Sequence, residues 1–82
     1  MTKRAIYKAS AFVLRFIDYG DSDRIITFYT DTSGKLKGIA KGARRSKRRF
    51  LNAIEPFCHS TILYSRRSKE GLALIENCDV IN

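Results

Sequence analysis

The sequence predicts an all-β domain, a five-stranded barrel with one short helix between the third and fourth strands. Three observations carry that prediction. Short runs rich in Val, Ile, Phe, Tyr and Thr recur along the chain, each closed by Gly, Asp, Ser or Thr, as small antiparallel strands are. Gly38 interrupts one run from inside and marks a bulge or barrel bend, where a missing side chain lets a neighbouring backbone come close. Only one segment, after the basic stretch that follows that run, has helical spacing.

The elements follow in order. Ala9 to Ile17 alternates, with Phe12, Leu14 and Phe16 on one face and Ala11, Val13, Arg15 and Ile17 on the other, a strand with one buried face. Tyr19-Gly20-Asp21-Ser22-Asp23 is a turn by composition, and Ile25 to Thr30, β-branched and aromatic, is the second strand. Thr32-Ser33-Gly34 reads as a hairpin tip. Leu36 to Lys41 puts Leu36, Gly38 and Ala40 on one face and Lys37, Ile39 and Lys41 on the other, joined there by Lys35; the small inward residues predict tight curvature. Phe50, Leu51 and Ile54 fall at helical spacing behind Ser46 as a cap, and Pro56 ends the helix. Phe57 to Ser65 is a fourth strand, Ser65 to Gly71 a polar turn, and Leu72 to Glu76 a fifth. The order βββαββ matches the partly open five-stranded OB-fold; an SH3-like barrel is the alternative and would reduce 46–55 to a turn.

Eighty-two residues form a single domain, too small to bury a deep catalytic cleft beside its own core. The longest stretch without charge, Pro56 to Ser65, is ten residues, where a membrane-spanning helix needs roughly 20. Arg15 breaks the apolar run behind the basic N-terminus and no cleavage site follows, so no signal peptide is read and the cytoplasm is the expected compartment. There Cys58 and Cys78 are expected as free thiols.

The charge is local. Lys and Arg number 16 against 8 Asp and Glu, a net charge of +8, and Lys35, Lys37, Lys41, Arg44, Arg45, Lys47, Arg48 and Arg49 account for all of it. Concentrated positive charge of this kind suits a polyanion and is more than solubility requires. In an OB-fold, strands 2 and 3 with the loops 1–2 and 4–5 hold single-stranded nucleic acid. Lys35, Lys37 and Lys41 fit that face, Tyr29 falls beside them as a stacking candidate, and Arg66, Arg67 and Lys69 belong to loop 4–5. Loop 1–2 does not fit: Asp18, Asp21 and Asp23 would repel phosphate, so nucleic acid is expected to avoid it.

The other chemistries find little support. Asp18, Asp21 and Asp23 lie in one six-residue turn, whereas nucleases gather metal-binding carboxylates from separate elements; Arg24 is placed to pair with one of them. Cys58, His59 and Cys78 offer at most three zinc ligands, and neighbours along a strand point to opposite faces, so core packing is the better reading. No phosphate-binding G-x-x-x-x-G-K-[ST] loop is present, since Gly34, Gly38 and Gly42 do not supply one. The reading is of a non-enzyme without metal or cofactor.

Asp18-Tyr19-Gly20-Asp21-Ser22-Asp23-Arg24-Ile25, Gly34-Lys35, Ala40-Lys41-Gly42-Ala43-Arg44-Arg45-Ser46-Lys47-Arg48-Arg49-Phe50 and Glu55-Pro56-Phe57 together resemble the N-terminal domain of the RecO DNA repair proteins, over nearly the whole chain. The resemblance implies an OB-fold that binds single- and double-stranded DNA, annealing of complementary strands, partnership with RecR, and help in loading RecA onto strands covered by single-strand binding protein. Its DNA-contacting segment falls on Lys35, Lys37, Lys41, Arg44, Arg45, Lys47, Arg48 and Arg49. Arg48 departs by adding charge where relatives often carry a small polar residue. Such proteins continue into a helical part, often with a zinc-binding cysteine cluster, credited with holding the single-strand binding protein tail. That part lies beyond these 82 residues, so the chain is read as an excised domain or a solitary module. Two other functions suit the same charge: an RNA- or ribosome-binding OB module, and a protein-interaction domain receiving an acidic peptide.

Overall fold

Buried and exposed residues alternate through the second and third strands of the structure, a computed structural model that describes residues 5–45, 58–66 and 71–81. The strands are β1 (Ala5–Tyr19), β2 (Asp23–Thr30), β3 (Gly34–Ala40), β4 (His59–Arg66) and β5 (Ala73–Val80). They close in the order β1-β2-β3-β5-β4, with β4 returning to β1. Every pairing is antiparallel except β3 with β5, which meet in parallel at Gly38 opposite Ala73 and Ile39 opposite Leu74. This is the predicted OB-fold barrel. The helix predicted over 46–55 lies outside the described residues.

The first strand is longer than its hydrophobic alternation predicts, because it serves two neighbours. Ala5 to Phe12 pair with β4, and Ala11 to Tyr19 pair with β2. Its buried face is the small one, Ala9, Ala11 and Val13, while Phe12 and Leu14 face outward. A bulge between Val13 and Arg15 then reverses the alternation, since Val13 pairs with Phe28 and Arg15 already with Thr27. Phe16 thereby turns toward the core and Arg15 and Ile17 turn out.

Small residues inside β1 and β3 make room for large ones from the other strands. Ala9, Ala11, Gly38 and Ala40 share the interior with Ile26, Phe28, Ile62, Tyr64 and Ile75, all five essentially inaccessible. Complete burial of each large apolar side chain contributes about 1.5–3 kcal/mol. Gly38 sits inward with Leu36 and Ala40, as predicted, but β3 keeps its register with β2 there. The glycine instead admits the Ile75 side chain: a Cβ at residue 38 would lie 2.5 Å from Ile75 Cδ1.

Turns close the hairpins with their own hydrogen bonds. Thr30 Oγ1 accepts from the Ser33 N–H at 2.9 Å and donates to the Gly34 carbonyl at 2.8 Å. Gly34, at φ 65°, takes the left-handed conformation that this short reversal needs.

Candidate nucleic-acid interface

Outward residues of β1, β2 and β3 line up across the sheet in rungs, because the register places them directly opposite one another. One rung is Phe12, Tyr29 and Lys35; the next is Arg15, Thr27 and Lys37; a third is Ile17, Ile25 and Ile39. Tyr29, Phe12 and Ile17 are all exposed, and so are Arg15, Lys35 and Lys37. The first rung extends onto β4, where His59 pairs with Phe12 and stacks on it, ring centroids 4.4 Å apart and planes 15° from parallel. One barrel face therefore carries an aromatic row next to a cationic row.

Two shallow depressions mark this face. One, about 140 Å³, is lined by Arg15, Phe16, Ile17, Ile25, Thr27 and Lys37, with cations on either side of an apolar floor. The other, about 190 Å³, is lined by Ser10, Phe12, Tyr29, Thr30, Asp31 and His59.

The acidic turn has a different occupation. Asp18 meets Arg24 Nε at 3.1 Å and Arg44 Nε at 3.6 Å. The Arg44 guanidinium also donates to the carbonyls of Gly20 and Asp21, and its backbone N–H donates to the Ser22 carbonyl. Asp23 Oδ1 accepts from the Gly42 N–H at 2.8 Å and from Ser22 Oγ at 3.3 Å. Gly42, at φ 72°, folds the chain back onto this seat, and Ala43 is buried behind it. The acidic turn thus lies against residues 42–44 of the basic segment, and the carboxylates of Asp18 and Asp23 hold it there. The Arg24 pairing expected from the sequence is present, reinforced by its guanidinium 4.3 Å above the Phe16 ring.

The predicted site residues divide by place. Lys35, Lys37 and Tyr29 share the outer face, with Tyr29 directly opposite Lys35. Lys41, Arg44 and Arg45 occupy the exposed turn that follows β3, with Arg44 engaged by the acidic turn. Arg66 stands apart: it pairs opposite Ala5, at the other end of β1 from Asp18, with its guanidinium 5.7 Å from the Tyr64 ring centre and 6.0 Å from that of Tyr7. Lys47, Arg48, Arg49, Arg67 and Lys69 lie outside the described residues.

Sequence reasoning missed Arg15 and Phe12 as members of the face. A continuous alternation sets Phe12 and Arg15 on opposite sides, and only the bulge brings them to the same one. Nothing in the local composition announces that bulge. Core packing, expected for His59 with the two cysteines, does not hold for it: the ring is half-buried on the outside, against Phe12, with Nε2 2.6 Å from Ser10 Oγ. Cys58 and Cys78 are free thiols, the first packed against the core and the second buried within it. Burial pushes the Cys78 thiol up from 9.0 to about 11, against a smaller opposing effect of a hydrogen bond with Ser60. Among the described residues, no three His, Cys, Asp or Glu side chains converge as a metal site would require, and no helix is long and apolar enough to cross a membrane.

Comparison with known proteins points to one family. The family model described as recombination protein O N terminal matches residues 1–82. A protein named DNA repair protein RecO from Syntrophus aciditrophicus is 52% identical over 82 residues, all of this chain and 32% of that relative. Proteins of the same name from Koribacter versatilis and Syntrophobacter fumaroxidans are 38% and 43% identical over 74 residues, 90% of this chain and 30% and 29% of theirs. The chain spans about a third of the length of these relatives. With the motif-bearing turns, the barrel order and a family match from its first residue to its last all in agreement, the chain belongs to the RecO family, as its N-terminal domain.

Proposed function

We propose that this domain is a non-enzymatic DNA-binding module of recombinational repair, acting in the cytoplasm and holding DNA on the outer face of β1, β2 and β3. The observation that carries the reading is the pair of neighbouring rungs, Phe12-Tyr29-Lys35 and Arg15-Thr27-Lys37. Aromatic rings accept unpaired bases by stacking, at about 1–3 kcal/mol per base, while cations beside them neutralise the connecting phosphates. The exposed turn with Lys41 and Arg45 continues the positive surface past β3 and serves double-stranded as well as single-stranded DNA.

Annealing follows from the same charge. Two strands repel less once each is covered by cationic protein, and bound strands meet at raised local concentration. The relatives' name, DNA repair protein RecO, supports placing this activity in repair; RecR is the partner that the family resemblance implies. Loading of RecA and contact with single-strand binding protein belong to the longer protein.

Fluorescence anisotropy with labelled single-stranded DNA, read at several salt concentrations with an annealing assay on the same samples, tests the proposal. Tight binding at low salt with faster annealing is expected. Lys35→Glu with Lys37→Glu should reduce affinity at least tenfold at fixed salt; unchanged affinity would remove the face from the site. Competition with RNA of the same sequence should favour DNA, and an RNA preference would count against a repair role.

A further inference from the structure

The depression at the aromatic end of the face contains a group that phosphate binding does not explain. Asp31 lies on its rim, beside Phe12, Tyr29 and His59, in a surface otherwise arranged for a polyanion. The carboxylate is held in place: Oδ1 accepts from the Ser10 N–H at 3.2 Å, and the Asp31 N–H donates back to the Ser10 carbonyl at 3.0 Å. Its other oxygen, Oδ2, has no hydrogen-bond partner among the described residues. An anchored acceptor next to exposed ring faces repels phosphate and attracts N–H donors on the edge of a planar group.

We propose that this depression is a base-reading pocket for an unpaired guanine of the bound strand, an inference that rests on the DNA-binding reading above. The base stacks against the exposed rings of the Phe12-Tyr29 rung, and its backbone runs toward Lys35 and the Arg15-Lys37 rung, away from Asp31. Guanine is singled out by its edge. Its N1–H and N2 amino group are adjacent donors that match the two oxygens of one carboxylate, with Oδ1 using its second lone pair. Adenine and cytosine present one amino group beside an acceptor, and thymine presents one N–H between two carbonyls, so each sets an acceptor against Asp31 or leaves one oxygen unused. Stacking alone would hold any base, and Asp31 supplies the discrimination.

The experiment compares oligothymidine strands that carry at the centre one guanine, one inosine, which lacks only the N2 amino group, or thymine alone. The expected result is binding of the guanine strand about fivefold tighter than the all-thymine strand, the lower end of what a bidentate base contact provides, with inosine between them. Asp31→Asn keeps an oxygen for the Ser10 N–H but offers one acceptor in place of two, so the guanine preference should vanish while the salt dependence stays. Phe12→Ala should weaken all three strands together. Equal affinity of the three strands for the unaltered chain, with a normal salt slope, would overturn the pocket and leave DNA binding intact. A guanine preference that survives Asp31→Asn would also overturn it. Failure of every strand to bind would overturn both the pocket and the DNA-binding reading.

Discussion

Gly38 is the position where one missing methyl group decides how closely the barrel packs. A Cβ there would meet Ile75 Cδ1 at 2.5 Å and Cγ1 at 2.9 Å, with the Ala73 carbonyl at 3.3 Å behind them. Gly38→Ala should therefore destabilise the domain by about 1–3 kcal/mol in urea unfolding, and pairing it with Ile75→Val should recover part of the loss. The sequence made this glycine conspicuous, and its inward direction could be read from its place between Leu36 and Ala40. It did not identify the neighbour, because what fills the space is a side chain from a strand more than 30 residues away. Cys78 gives a second prediction at this scale. Its folded pKa, about 11, exceeds the ordinary 9.0, so the neutral thiol is favoured by folding and the native state retains its proton longer. That contribution is whole below pH 9 and falls as pH rises toward 11, by about 3 kcal/mol in all. Stability curves measured over that range should lose this component in Cys78→Ala, and the unaltered thiol should react slowly with thiol reagents at pH 8.

Among the elements, β1 was the least legible, and the reason is the bulge. A strict two-residue alternation puts Phe12, Leu14 and Phe16 together; inserting one extra residue after Val13 separates Phe16 from the other two and recruits Arg15 to their side. Such an insertion leaves no compositional trace, whereas the alternation of β3 is unbroken and its two lysines, Lys35 and Lys37, could be placed on one side from spacing alone; Lys41, expected on the same strand face, instead begins the turn after β3. Leu14 is the unpaired extra residue, so deleting it should leave Val13 opposite Phe28 and Arg15 opposite Thr27 in a regular strand, and a folded barrel should still be recovered by circular dichroism; inserting a second residue there should instead drive Arg15 and Ile17 inward and abolish folding. Leu14→Thr keeps the count and changes only a partly exposed side chain, with an expected effect within about 0.5 kcal/mol. The acidic turn and its Arg24 pair were legible, but the turn's hold on residues 42 and 44 was not. Asp23 Oδ1 accepts the Gly42 N–H, so Asp23→Ala should cost about 1–2 kcal/mol in denaturant unfolding, and Asp23→Asn, which keeps an oxygen acceptor, less.

For the molecule as a whole, charge was the most informative quantity in the sequence. Residues 35–49 hold eight basic side chains and no acid, while the remainder of the chain sums to zero. If about six of those cations meet phosphates of a single strand, log affinity should fall against log salt with a slope of about 4, and each charge-removing substitution on the face should reduce that slope by about 0.7. A slope near zero would mean that the positive segment faces something other than nucleic acid. The five-stranded barrel was equally readable, from five short runs, a glycine bend and two hairpins, but the sequence pointed to a partly open one, and the closed order β1-β2-β3-β5-β4 comes from the structure. Closure itself, however, depends on a narrow join. Between β3 and β5 the pairing consists of Gly38 with Ala73 and Ile39 with Leu74, while the other four junctions run much further along their strands. In hydrogen exchange, the β3 and β5 amides at this join should therefore open well before those between β1 and β2. A molecule caught in that opened form presents two raw sheet margins, which can zip onto the same margins of another copy, so the seam is where aggregation on storage or heating would begin.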